Sequence, residues 1–306
     1  MTLFVVAASF EDRCLAMMRD LHDTGPQDQV VVLDFAGYEN VGPYLLNRAA
    51  LNALASQGQP SVSIVPCATS TPISAKEGLR AEILRCRPDR LVVDISTLPR
   101  SFLFCFCSLA VELGLDTEIV YYRPREYGED LSRGVRTVQS IPGFEGDPAA
   151  GADIVLLLLL GFEGYKAAQV WERLGPTEVV ALWGDPPYDD RFLEVSKEKN
   201  EQFLRLPSRV IEGACHTYNV ATALRQLGKA YSDIRSRMPD SSVVACPLGT
   251  KMQSLALFAF ACTHPDLSVV YVSSSKYFTG SYSTGWVPTP VRIRLLDLVQ
   301  ARPDVD

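Results

Sequence analysis

The sequence predicts an α/β fold made of two tandem Rossmann-like domains with mainly parallel sheets, related by internal duplication. Three observations carry this. Short β-branched apolar runs alternate with helical patterns along all 306 residues, the signature of βαβ units and a parallel sheet. The runs fall into two sets of five. The sets also repeat at a nearly constant offset, down to residues that serve no core.

Strands are expected at Leu3–Ala8, Val30–Phe35, Ser61–Pro66, Arg90–Ile95 and Glu118–Tyr122 in the first half. Asp153–Leu160, Glu178–Trp183, Arg209–Gly213, Ser242–Cys246 and Ser268–Val272 form the second set. Ser9-Phe10-Glu11 recurs as Gly161-Phe162-Glu163 at an offset of 152, Cys67 as Cys215 at 148, and Pro88-Asp89 as Pro239-Asp240 at 151. Tyr127 falls on Tyr277 at 150, and an irregular tail repeats as Ser132-x-Gly134 and Ser283-x-Gly285 at 151. Turn formers cluster from Pro142 to Gly151, which places the join there and the halves at 1–145 and 150–306. The helices after the fourth strands, Ser101–Leu113 and Gln253–Cys262, are apolar on nearly all faces. Such helices are buried all round, and the sequence predicts that they meet across a pseudo-two-fold interface.

Composition narrows the function classes. Apolar residues make up 47% and charged residues 21%, as in a globular chain. The longest apolar run, Ile154–Leu160, is too short to span a bilayer as a helix, and the start MTLFVVAASFEDRC lacks the basic region of a signal peptide. A cytoplasmic protein without membrane association is expected. Cysteines in apolar segments, among them Cys67, Cys105, Cys107 and Cys246, read as reduced core residues. With no CxxC and three histidines in all, neither a metal nor a cofactor is expected. A net charge of −7 argues against an extended nucleic-acid surface, which needs many Lys and Arg contacts. A small anion needs only a few local cations.

Doubly wound sheets bind ligands beyond the carboxyl ends of their strands, where strand order reverses. The first and fourth loops of each half therefore carry the candidates. Loop one contains Ser9, Phe10, Glu11 and Arg13, and its copy contains Phe162, Glu163 and Lys166. Loop four contains Asp94, Ser96, Thr97 and Arg100, and its copy Gly249, Thr250 and Lys251. A cation at a helix start opposes the helix dipole unless an anion is present, so Arg100 and Lys251 point to an anionic ligand. Lys276, with Arg123 and Arg125, adds positive charge at the same rim, and Tyr127, Tyr277 and Trp286 are either stacking surfaces or core closures. Other readings stay open: Ser96 as a helix cap, Glu11 and Glu163 as surface charges near helix starts, Phe10 and Phe162 as packing. Neither a GxGxxG nor a P-loop is present.

Asp94-x-Ser96-x-x-x-Arg100 resembles the signature of CARF domains, Rossmann-like sensors of prokaryotic antiviral systems: Asp or Asn, any residue, Ser or Thr, any three, then Arg or Lys. The second copy keeps only its end, Gly249-Thr250-Lys251, with Ala245 and Pro247 at the first two positions. The duplication is similar to the fused pairs of the related SAVED domains. This resemblance implies a regulatory protein that binds a nucleotide-derived ligand, such as a cyclic oligonucleotide, in a cleft between its halves and signals to a separate effector protein. The degenerate second motif implies an asymmetric ligand. Two alternatives stand beside it. One is an enzyme, a nucleotide hydrolase or phosphodiesterase, with Glu11 and Glu163 as acid–base groups. The other is a non-catalytic structural subunit.

Overall fold

In the computed structural model, residues 1–21, 25, 27–38, 40–57, 61–147, 151–206 and 209–301 are described. The expected join lies partly outside them. The first half runs β1 (Thr2–Ala7), α1 (Ala16–Asp20), β2 (Gln29–Ala36), α2 (Gly42–Gln57), β3 (Ser61–Ala68), α3 (Pro72–Cys86), β4 (Arg90–Asp94), α4 (Arg100–Glu112), β5 (Asp116–Tyr121), β6 (Pro124–Tyr127) and β7 (Ser132–Ser140). The second runs β8 (Ile154–Leu159), α5 (Gly164–Leu174), β9 (Glu178–Gly184), α6 (Asp190–Leu204), β10 (Arg209–Cys215), α7 (Val220–Arg237), β11 (Ser242–Pro247), α8 (Lys251–Thr263), β12 (Ser268–Tyr277), β13 (Ser283–Trp286), β14 (Val291–Arg294) and α9 (Leu295–Gln300).

All ten expected strands form. With β14 and β7 they build two largely parallel six-stranded sheets, ordered β3-β2-β1-β4-β5-β14 and β10-β9-β8-β11-β12-β7. In both, the first and fourth strands of a half lie side by side, with pairs such as Val5 beside Val93 and Leu157 beside Ala245. Strand order reverses there, so the loops singled out by sequence do flank each switch point.

The sixth strands were not foreseen. β14, late in the second half, pairs antiparallel with β5, Ile293 opposite Ile119. Conversely β7, the last strand of the first half, joins β12. Its contacts run in the antiparallel sense: Ile141 N–H bonds the Val269 carbonyl, Thr137 Oγ1 meets Ser273 Oγ, and Gly134 lies against Ser275. The chain accordingly divides into two compact units that differ from the halves at 1–145 and 150–306. Unit one is Met1–Leu131 with Tyr277–Asp297, and unit two has Ser132–Lys276 as its body. What read as an irregular tail is strand in both copies. β13 closes a small sheet on β6, with Ser283 opposite Tyr127.

Burial follows the apolar pattern. In α4, Phe102, Phe104 and Phe106 are at most 1% exposed, and in α8 Phe258 and Phe260 are fully buried. α3 packs along α4 and α7 along α8, inside their own units. Among the described residues no helix is long and apolar enough to cross a membrane.

Candidate functional site

Unit one builds its first loop around an ion pair. After β1, residues Asp12–Leu15 make a single 3₁₀ turn that carries Arg13 back toward Glu11. Both side chains are buried, with Arg13 Nη2 2.8 Å and Nε 3.0 Å from Glu11 Oε2. Burial opposes the Arg13 charge, but the Glu11 carboxylate together with Tyr127, Tyr121 and Tyr282 outweighs it and holds the guanidinium above its ordinary pKa. Arg13 Nη1 also donates to the Tyr122 carbonyl at 3.3 Å. A serine from the far end of the sequence completes the group: Ser283 Oγ donates to Glu11 Oε2 at 2.5 Å. Beside it, Gly285 N–H donates to Asp12 Oδ2 at 3.2 Å.

Unit two repeats the arrangement with other residues. Glu163 precedes α5, and Lys166 Nζ sits 2.5 Å from its Oε2. Ser132 Oγ donates to Glu163 Oε1. The same hydroxyl meets Ser274 Oγ at 2.7 Å and Tyr165 Oη at 2.8 Å. Ser132 and Ser283 are the serines that recur 151 residues apart, so equivalent tails reach equivalent glutamates. Glu11 and Glu163 are thus neither surface charges nor simple helix complements. Arg13 and Lys166 are neutralised inside their own loops, which removes two cations from the positive rim expected there.

The fourth loops differ. In unit one Asp94 Oδ1 accepts from Ser96 N–H at 2.8 Å, and Ser96 Oγ accepts from Tyr122 N–H at 2.8 Å. Thr97 Oγ1 donates to the Ala7 carbonyl at 3.2 Å. Ser96 is fully buried and caps no helix; it ties its loop to the end of β5. Arg100 opens α4, half-buried, behind Pro99 with no side-chain cap. In unit two Thr250 caps α8 in a reciprocal capping box with Gln253. It also donates to the Thr217 carbonyl at 2.6 Å, while Gln253 Nε2 donates to the Cys215 carbonyl at 2.8 Å. Lys251 opens α8, half-buried. A Cβ on Gly249 would lie 2.1 Å from Gln253 Oε1, and one on Gly161 would lie 2.2 Å from the Leu248 carbonyl. Ser196 and Asn200 donate to the Gly161 carbonyl at 3.0 and 2.8 Å. Protein atoms therefore fill the gap between first and fourth loops in unit two.

The aromatic candidates pack. Phe10 sits among Tyr38, Tyr277 and Tyr282, with ring centroids 5.5–5.9 Å apart. Phe162 lies 5.2 Å from Phe192. Burial raises the Tyr127 hydroxyl well above its ordinary pKa, and the Arg19 guanidinium lies 5.2 Å over Trp286. Lys276 is exposed. Sequence reading missed His216, Tyr218 and Tyr188 at the ends of β9 and β10. Their position just past two apolar strands was the available signal.

No protein-family profile matches the chain, and no curated protein matches it. Solved structures to which the chain is similar include the cytoplasmic domain of a prokaryotic cation chloride cotransporter, at 11% identity over 90% of this chain and 95% of that one, TM-score 0.28. Others are a precorrin-6A reductase, 10% identical over 90% and 89%, TM-score 0.24, and a UDP-GlcNAc 2-epimerase from Neisseria meningitidis, 8% identical over 81% and 77%, TM-score 0.26. TM-scores this low carry no argument about function.

Proposed function

We propose that the chain is a regulatory nucleotide-binding protein, which takes a nucleotide-derived anion at the carboxyl-end loops of its parallel strands and signals through a separate effector. The observation that carries this reading is the start of the helix after each fourth strand. α4 opens on Arg100 and α8 on Lys251, and neither first turn holds an acid. Amides and cation then add at one point, which suits a phosphate. The resemblance of Asp94-x-Ser96-x-x-x-Arg100 to the CARF signature supports a cyclic oligonucleotide as the ligand and a defence-type role.

A catalytic role for Glu11 and Glu163 has no comparable support, because each carboxylate is occupied by a cation and a serine. Isothermal titration with mononucleotides and cyclic oligoadenylates tests the proposal. At least one nucleotide should bind, and Arg100→Ala or Lys251→Ala should weaken it about tenfold, as loss of a charge-assisted contact does. Uniform absence of binding contradicts it.

A further inference from the structure

Unit two carries an unused recognition surface. β9 and β10 end side by side, Gly184 opposite Cys215, and run into loops that neither ion pair nor the Gly161 packing employs. His216 follows β10. Its backbone N–H donates to Gln226 Oε1 at 2.7 Å, and its ring Nδ1 accepts from Asn219 N–H at 3.1 Å and Tyr218 N–H at 3.4 Å. With Nδ1 committed as an acceptor, the imidazole is neutral and its proton sits on Nε2. Burial lowers the His216 pKa in the same sense, while Asp185 opposes. Nε2–H has no hydrogen-bond partner among the described residues.

The Tyr218 ring stands edge-on to this imidazole, centroids 4.5 Å apart at 85°. Tyr188 stacks on Tyr218 at 5.6 Å and 22°. Tyr218 is nonetheless 44% exposed, so the stack covers only part of its surface. The loop is held rather than loose: Thr217 Oγ1 donates to the Pro186 carbonyl at 2.6 Å, and the Thr217 carbonyl accepts from Thr250 at 2.6 Å. A partly exposed aromatic ring beside a neutral N–H donor matches one ligand chemistry, a planar heteroaromatic ring with an acceptor at its edge. The Thr217–Thr250 bond joins the neighbours in sequence of Tyr218 and Lys251.

We infer that the Tyr218–His216 rim of unit two is a nucleobase site, in which the base stacks on Tyr218, His216 Nε2–H donates to a ring acceptor, and the phosphate lies toward Lys251. The phosphate contact rests on the reading given above; the base contact does not.

Titration of the full chain with AMP, CMP and ribose 5-phosphate tests it, followed by calorimetry and by the His216 ring nitrogen shifts. AMP or CMP should bind and move the Nε2 signal. Tyr218→Ala should weaken the nucleotide about tenfold and leave ribose 5-phosphate unchanged, whereas Tyr218→Phe should keep the wild-type affinity. Lys251→Ala should weaken all three probes. Nucleotide binding that Tyr218→Ala leaves intact overturns the base site but spares the anion reading if Lys251→Ala still weakens it. Failure of both nucleotides to bind at millimolar concentration also overturns the base site. Tyr218 is a surface residue, and an unchanged melting temperature of its variants certifies that the fold is not what the titration reads.

Discussion

The fourth loop of unit one is tied sideways, and that of unit two is tied across the sheet. Ser96 and Thr97 anchor to Tyr122 and Ala7, at the ends of the two strands that flank β4. Thr250 and Gln253 anchor instead to Thr217 and Cys215, at the end of β10, three strands from β11. Glycine permits the second arrangement, since a side chain at Gly161 would strike the Leu248 carbonyl of the opposing loop and one at Gly249 the Gln253 side chain. The same topology thus gives one switch point tethered through side chains and another filled by close backbone packing. Each first loop buries a Glu–cation pair closed by a tail serine, with Arg13 in unit one and Lys166 in unit two. That sets Arg against Lys in comparable burial.

The largest expected effects break the ion pairs. Glu11→Ala strands a buried guanidinium that cannot deprotonate, and Glu163→Ala strands an ammonium that can. Losing one partner of a buried pair costs about 3–5 kcal/mol. Glu11→Ala should therefore be the more destabilising. Chemical denaturation at neutral pH measures both. Equal costs would mean that the two pairs are not equivalent sites.

Next come the loop packings. Gly161→Ser installs the residue that unit one carries as Ser9, yet its Cβ would meet the Leu248 carbonyl at 2.2 Å. Overpacking of this kind costs about 1–3 kcal/mol, read as a lowered denaturation midpoint. Ser9→Gly in unit one should lose only the bond that Ser9 Oγ accepts from Glu11 N–H, about 1 kcal/mol. A neutral Gly161→Ser would show that the two loops of unit two are not in contact.

The tail serines are of similar size, and the acid limb comes last. Ser132→Ala and Ser283→Ala each remove a hydroxyl donated to a carboxylate, worth about 1.5–3 kcal/mol at most. Ser132→Ala should cost the more, because its hydroxyl also meets Ser274 and Tyr165. Although burial opposes it, bonds from Lys76, Ser108 and Arg80 hold Glu112 at about 2, below its ordinary 4.5. A carboxylate with a depressed folded pKa contributes stability above its unfolded value, lost as pH falls through the folded one. Unit one should thus weaken between about pH 4.5 and pH 2, and Glu112→Gln should flatten that limb in an acid titration followed by circular dichroism. Burial opposes the charge of Asp266 too, yet bonds from Tyr231 and Arg235 lower its pKa, which gives unit two the same sign.

Much of this was legible in the sequence, for physical reasons. The inner strands need no context: Leu156 to Leu159 are wholly buried, and a continuous apolar run says so. The candidate residues of loop one were legible as chemistry but not as partners. Glu11 and Ser283 lie 272 residues apart, and no local pattern links them. Ser132–Ser140 was misread because SRGVRTVQS is mostly exposed or half-buried and carries Gly134 at φ +68°. Edge strands of that kind lack the apolar alternation that announces inner ones. Ser96 looked like a cap because its type and position suit one, and only the β5 end shows what it accepts from.

The exchange of edge strands is the most direct point of test, because it decides which tail supports which loop. Proline at Ile293 breaks the pairing of β14, and hydrogen exchange with mass spectrometry locates the consequence. The account predicts faster exchange in β5, opposite Ile293, and in the Glu11 loop, with β12 protected as in the wild type. Faster exchange confined to β12 and its neighbours, with β5 unchanged, would contradict it.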